Sequence, residues 1–305
     1  MSSWSSGRVH FRERKMPTPK VIPQIDTPIP EIKTDELTSQ YPSKYFVPNR
    51  NLKVNDAVVC AIALNEEPYI DEWIQYNLFL GFNHIYIYDN SDDNSLKGKK
   101  SDRVTIIHFP GKTKQLEAYS IFTLQYKNKH KWAAFIDCDE FIVLKKHNTI
   151  IDFLNEYDNC ESVALNWKMF GTSNEKEYKG EPVTSRFKYC SSIVNKHIKS
   201  IVKISSIDTF ANPHNVNLLK GNNYDTNRNI IFGPFNNLGD DTIACIHHYY
   251  TKSEEEFRKK IERGRADIIK KRSLDEMNNI HSNNNDVYNS DAWDFYSKHL
   301  EQIPS

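Results

Sequence analysis

The sequence predicts an α/β protein built on a mostly parallel sheet, and three observations carry that prediction. Residues 57–64 form an unbroken apolar run of strand length, with the texture of a strand covered on both faces. Residues 132–136 (Trp-Ala-Ala-Phe-Ile) repeat that texture further along. Between and around them, strand-like runs alternate with apolar residues at helical spacing. Such alternation calls for parallel strands joined by right-handed crossovers.

The elements follow in order. After the first strand comes Asn65-Glu66-Glu67-Pro68, with Pro68 suited to a first helical position and the carboxylates to the helix dipole. Tyr69, Ile70, Trp73, Ile74 and Leu80 then recur at helical spacing, and Gly81 stands where a helix C′ residue belongs. Trp73 and Tyr76 read as helix packing. Residues 82–88 form a second strand that ends at Asp89 and opens into a polar loop over 90–95. A third strand covers 104–109, a helix 115–128, the fourth strand 132–136 and a short helix 149–157. Further strands are read at 163–167, 187–190, 200–204 and 243–246. Ser253-Glu254-Glu255-Glu256 is a capping box, opening a helix that continues through Phe257, Ile261 and Ile268.

Outside this body the texture changes. In residues 1–50, Pro17, Pro19, Pro23, Pro28, Pro42 and Pro48 interrupt every helix, so the segment reads as an extended or disordered arm, wrapped on the body near Tyr45. The folded domain is placed at 51–275. Residues 276–305 form a polar, helical C-terminal tail, mobile where Asn and Ser dominate over 278–289.

Composition narrows the functions. The 305 residues carry 40 Lys plus Arg against 40 Asp plus Glu, so no net charge draws the chain to nucleic acid or an acidic membrane. A polyanion must be met by a local site. The five cysteines (60, 138, 160, 190 and 245) are dispersed, with no Cys-x-x-Cys pair, which suits a reducing compartment. No stretch approaches the roughly 18 apolar residues of a spanning helix, and residues 1–15 lack a hydrophobic segment. The chain as read therefore has no signal peptide or membrane anchor, and a cytoplasmic location is expected. Neither G-x-G-x-x-G nor G-x-x-x-x-G-K-[ST] occurs, which removes the usual nicotinamide and P-loop enzymes.

Asp137-Cys138-Asp139-Glu140, at the end of the fourth strand, is the most informative motif. In an extended chain Asp137 and Asp139 point the same way and Cys138 the other. Neighbouring carboxylates raise each other's pKa unless a cation lies between them. Carboxylate oxygens are the ligands preferred by Mg²⁺ and Mn²⁺, which take further ligands from substrate phosphates. The plainer reading is an acidic strand-to-loop turn. Against it, ligands of open α/β sheets bind beyond the carboxyl ends of the strands, and Asn65-Glu66, Asp89 and Asp137 with Asp139 converge on that rim.

At these residues the sequence resembles glycosyltransferase family 92 and its family-2-like relatives. The likeness runs from Asn65-Glu66, Tyr69-Ile70 and Glu72-Trp73 through Tyr88-Asp89 and Gln115 to the Asp-x-Asp-Glu-Phe of 137–141. It continues through Trp167 with Phe170-Gly171, Arg186-Phe187, Lys199, Pro213-His214, His248-Tyr249, Lys252-Ser253 and Glu256-Phe257. Order and spacing hold over about residues 57–270. The resemblance implies a GT-A fold and a nucleotide-sugar donor, UDP-linked in our reading, with Mn²⁺ or Mg²⁺ at Asp137 and Asp139.

Further roles come by the same route. The resemblance implies that His248 joins that metal and that Lys199 and Lys252 serve the nucleotide sugar. Glu66 and Asp89 stand where the base and ribose are received. Their plainer roles are helix-dipole and turn-forming residues. The expected reaction moves a hexose to a glycan or other hydroxyl, by a single inverting displacement that needs a base. Glu175, Asp240 and Asp241 are the base candidates, although relatives often carry a histidine near the position of Glu175. Trp167 with Phe170-Gly171 reads as a sugar platform or as core. The alternatives are a sugar nucleotidyltransferase, whose glycine- and arginine-rich first loop is missing, and a non-catalytic nucleotide-sugar or glycan-binding module. A nuclease is disfavoured because nothing basic in sequence surrounds the carboxylates.

Overall fold

The computed structural model describes Tyr45, residues 56–263, Ser273, Asp275, Asn278 and residues 284–303. Apart from Tyr45, which is buried and donates from its hydroxyl to Asp71 (2.7 Å), the arm predicted over 1–50 lies outside the described residues.

Four strands make the parallel heart of the sheet: β1 Ala57–Ala63, β2 His84–Asp89, β3 Val104–His108 and β4 Trp132–Phe135, in the order β3-β2-β1-β4. The apolar run of β1 is buried throughout because both faces are covered. Ala57, Val59, Ala61 and Ala63 face one core, while Val58, Cys60 and Ile62 face the other. Helix α1 (Ile70–Leu80) closes the first core with Ile70, Trp73 and Phe79, and Gly81 ends it in the left-handed conformation (φ 105°). Helix α2 (Gln115–Tyr126) closes the second with Ala118, Tyr119 and Phe122.

Beyond β4 the sheet becomes mixed. The turn 137–140 leads into β5 (Glu140–Leu144), a strand that the sequence does not separate from the carboxylate motif. After α3 (Ile150–Glu156), capped by the Thr149 side chain, come β6 (Ser162–Met169), α4 (Val183–Arg186), β7 (Tyr189–Cys190) and β8 (Asn195–Lys203). Strand β8 runs antiparallel to both β4 and β6. Short strands β9 (Ile207–Phe210), β10 (Val216–Leu218), β11 (Asn223–Asp225) and β12 (Ile230–Ile231) follow. Strand β13 (Ala244–His248) lies parallel to β6 and antiparallel to β5, setting His248 opposite Glu140 and Met169.

Helix α5 (Glu254–Arg263) begins with the expected capping box: Ser253 N–H donates to Glu256 Oε2 (3.0 Å) and Glu256 N–H to Ser253 Oγ (3.3 Å). The helical tail expected at the C-terminus is present, whereas the stretch read as mobile is structured over its described part, 284–289. Strand β14 (Val287–Tyr288) pairs with β7, and α6 (Asp291–Leu300) packs Tyr296 on Tyr76 and Phe79. Within the described part, the Asn285 side chain ties the Asn-rich stretch to the body. Asn285 Oδ1 accepts from Ser173 N–H (2.9 Å), and any side chain at Gly171 would collide with it. Among the described residues no helix is long and apolar enough to cross a membrane.

Two hydrogen bonds anchor β5 to α1, from Trp73 Nε1 to Glu140 O (2.9 Å) and from Tyr76 Oη to Ile142 O (2.9 Å). Tyr76→Phe removes a buried donor and should cost about 1–2 kcal/mol in urea unfolding. A variant as stable as the parent would show that the bond contributes nothing.

Candidate active site

The site is built on the turn between β4 and β5. Asp137 and Asp139 come together by a turn, in which Glu140 N–H donates to Asp137 O (3.0 Å), and the extended strand that the sequence suggested does not reach them. Cys138 drops into the core between them. Asp137 Oδ1 accepts from Gln115 Nε2 (2.8 Å), at the start of α2, and Oδ2 from Lys199 Nζ (3.0 Å), on β8. Lys199 also lies 3.6 Å from Glu140 Oε2, which accepts from Asp137 N–H (2.9 Å).

Asp139 faces the other way along the rim. Its Oδ2 accepts from Lys260 Nζ (2.5 Å), one turn before the end of α5, and its Oδ1 lies 3.5 Å from His248 Nε2. Burial alone would raise the Asp139 pKa, but Lys260, His248 and Lys252 outweigh it and hold the carboxyl well below its ordinary range. The His248 imidazole is lowered by burial, with Asp139 pulling the other way.

A second charged group sits beside the first, at the end of β1. Glu66 Oε1 meets Arg263 Nη2 at 2.7 Å, and Oε2 lies 3.8 Å from Lys252 Nζ. Arg263 also donates to Leu64 O (2.5 Å), so α5 closes over the loop that leaves β1. Lys252 adopts a left-handed backbone (φ 53°), and its ammonium stands 4.2 Å from the Tyr69 ring centroid. A cavity of about 460 Å³ opens here, lined by Tyr69, Tyr178, Lys252, Lys260 and Arg263 among others.

Helix α5 is held to the body by Arg186, whose Nη1 and Nη2 each reach a Glu256 oxygen at 2.9 Å, with both side chains 2% exposed. Glu72 on α1 in turn accepts from Val183 N–H (2.5 Å) and Thr184 N–H (3.0 Å), which sets the segment carrying Arg186.

The opposite wall is aromatic. The Trp167 ring lies 4.3 Å from that of His248, edge to face, and 5.2 Å from His214, while His197 stacks on it at 4.9 Å and 20°. His247, one residue from His248, faces the other side of the strand against Phe170. Neither of its ring nitrogens has a partner among the described residues, and burial holds its pKa down at about 3.

The structure thus gathers Asp137, Asp139, Lys199 and His248, with Glu66 and Lys252 alongside. The other predicted residues are placed differently. Asp89 points its carboxylate into its own loop, accepting from Ser91 N–H (3.0 Å), Ser91 Oγ (2.6 Å) and Leu96 N–H (2.9 Å). Glu175 pairs with Lys179 at 2.6 Å on the exposed segment before α4. Asp240 closes a turn with Thr242 N–H (2.9 Å) and Asn227 Nδ2 (2.8 Å). Asp241 pairs with Lys168 (3.1 Å), which alternates with Trp167 along β6 and so lies on the far face of the sheet. Lys260 and Arg263 had no predicted role. Their signal was faint: Lys260 falls three residues after the buried Phe257, on the inward face of a helix that otherwise reads as solvated charge.

Among the described residues no three His, Cys, Asp or Glu side chains are gathered closely enough to hold a metal ion. The Asp139–His248 pair, at 3.5 Å, suits two neighbouring ligands of one small cation, since octahedral ligands at about 2.1 Å stand roughly 3 Å apart. Both Asp137 oxygens are engaged by Gln115 and Lys199, outside that pair.

Fold and site together define an α/β protein whose charged cluster stands at the carboxyl ends of its parallel strands, where such sheets receive their ligands. Residues 55–284 match glycosyltransferase family 92, and the chain belongs to that family. It is similar to a family 92 protein of Ricinus communis, 24% identical over 202 residues, which is 61% of this chain and 34% of the relative. A family 92 protein of Oryza sativa subsp. japonica is 25% identical over 176 residues, 55% of this chain and 29% of the relative. One from Arabidopsis thaliana is 25% identical over 124 residues, 38% and 22% respectively. The chain spans about a third or less of the length of these curated relatives.

The Arg186–Glu256 pair gives a pH prediction. Burial opposes it, but the Arg186 and Ser253 hydrogen bonds hold the Glu256 pKa at about 2. The folded value lies below the unfolded one, near 4.3, so the stabilisation is present above about pH 4.5 and is lost as pH falls toward 2. It should amount to roughly 3 kcal/mol. Arg186→Leu should cost about 3–5 kcal/mol at pH 7, by stranding a buried charge. Urea unfolding from pH 7 to 3 should show that this deficit shrinks with acid; a deficit independent of pH would refute the assignment.

Proposed function

We propose that this chain is the catalytic domain of a glycosyltransferase that moves a hexose from a UDP-sugar to a glycan or other hydroxyl acceptor, with inversion. The observation that supports this most is the ring of cations at the strand rim. Lys252, Lys260 and Arg263 line the 460 Å³ cavity, each on a buried carboxylate, where a diphosphate would meet them, and Lys199 holds the half-buried Asp137 from β8. Each has an oxygen anion as its partner already. A phosphate oxygen has the same acceptor chemistry and can share these donors.

Asp139 and His248 would hold the divalent cation, Mn²⁺ or Mg²⁺, with Asp137 behind them. When bound, such an ion supplies a Lewis acid for the charge that develops on the departing diphosphate. The chain's own residues do the rest. Lys260 and Lys252 neutralise the leaving group, and Tyr69 keeps the Lys252 ammonium aimed at the cavity. Glu66 remains our candidate for the nucleotide, beside the opening of that cavity. Asp89 supports the rim through its backbone bonds. The five free, buried cysteines suit a reducing, cytoplasmic setting.

The test is release of UDP from a panel of UDP-hexoses with Mn²⁺. The parent should turn over at least one donor, and UDP with Mn²⁺ should stabilise it by about 2.7 kcal/mol at 100 times Kd. Asp139→Asn should lose that joint stabilisation, measured against its own ligand-free melting temperature. A panel without turnover, or a variant stabilised as much as the parent, would overturn the reading.

A further inference from the structure

The proposed transfer needs a group that takes the acceptor's proton, and the carboxylates of the rim are already engaged. Asp137 and Glu140 face Lys199, Asp139 faces Lys260, and Glu66 faces Arg263. Glu175, Asp240 and Asp241 are paired elsewhere. We infer that His214 is the general base of this site, with Nε2 accepting the proton of the acceptor hydroxyl. The inference rests on the transferase reading and deepens it.

Placement comes first. The Trp167 indole touches both His248 (4.3 Å) and His214 (5.2 Å), so His214 shares a ring neighbour with the Asp139–His248 pair. The position is rigid. Asn212 Oδ1 accepts from His214 N–H (2.8 Å) and Asn215 N–H (3.2 Å), and Ser200 Oγ donates to His214 O (3.2 Å).

The tautomer follows from one contact. His214 Nδ1 lies 3.1 Å from Ile198 O, and a carbonyl only accepts, so Nδ1 carries the hydrogen. The lone pair is therefore on Nε2, for which no described residue provides a hydrogen bond. Burial, and then the Lys199 charge, hold the pKa down at about 4 against the pull of Asp137, so the ring is in its proton-accepting form at neutral pH. His197 serves differently, because its ring is sandwiched between Trp167 (4.9 Å) and Phe235 (4.7 Å) and backs the indole.

In the step itself the acceptor O–H bond breaks and its proton passes to Nε2. The oxygen forms the bond to the anomeric carbon. That carbon's bond to the diphosphate oxygen breaks, and the electron pair leaves with UDP. The imidazolium, partly exposed, returns its proton to solvent.

The experiment measures UDP release from the donor the parent turns over, with water as acceptor, for His214→Ala and His214→Gln. The kcat should fall about 100-fold or more in both, with donor KM within about threefold of the parent. Stabilisation by UDP with Mn²⁺ should be unchanged. Imidazole in solution should restore turnover to the Ala variant, which has room for it, and leave the Gln variant silent. A kcat within about threefold of the parent, or a loss that lies wholly in KM, overturns the assignment. A parent without turnover overturns the transferase reading, and the base with it.

Discussion

Three carboxylates crowded into one turn are the constraint on which the rest of this structure depends. Asp137, Asp139 and Glu140 lie within four residues; Asp137 is half-buried, while Asp139 and Glu140 are buried, and an unpaired charge at either of those two would cost several kcal/mol. Their cations come from far along the chain: Lys199 lies 62 residues beyond Asp137, and Lys260 121 residues beyond Asp139. Strand β8 and helix α5 are thereby tied to the β4–β5 turn by charge as well as by packing. Glu140 is compensated less completely. Burial pushes its carboxyl well above the ordinary range in spite of Lys199, and one of its oxygens has no partner.

The local parts of this fold were legible because their causes are local. The apolar run of β1, the helical spacing of α1 and Gly81 at its end are written in consecutive residues, and so is the Ser253–Glu256 capping box. The rest depends on pairings that no window of sequence contains. Strand β5 continues directly from the acidic motif, and its partner β13 lies about 100 residues later, so nothing near Phe141 announces the ladder. The base candidates are paired away from the carboxylate turn for a related reason. Asp240 and Asp241 are near His248 in sequence, but they precede β13 whereas His248 ends it, and Lys168 draws Asp241 to the far face.

Asp89 shows a different limit. Its position at the end of β2 is what the sequence suggested, and the rim is where the structure puts it. Yet a carboxylate followed by a polar loop can bond either to a ligand or to its own backbone, and residue type does not distinguish the two. Three bonds from Ser91 and Leu96 give it the second role. Asp137 and Asp139 escape that fate because Lys199 and Lys260 reach them before backbone donors do.

The pair His247-His248 shows how much of the site depends on register. The two side chains are chemically identical and adjacent, and β13 turns them to opposite faces. His248 meets Asp139 and Trp167, whereas His247 is sealed against Phe170 with both nitrogens unpartnered among the described residues and its charge suppressed. A slip of one residue would exchange them, placing an imidazole of the wrong environment beside the carboxylate turn. That slip is resisted on both sides, because β13 is paired with β5 and β6 together, and Tyr249 N–H adds a bond to Asp139 O (2.9 Å). The ladder that anchors the carboxylates therefore also selects which histidine they face, so the β5–β13 register belongs to the chemistry of the site as much as to the fold.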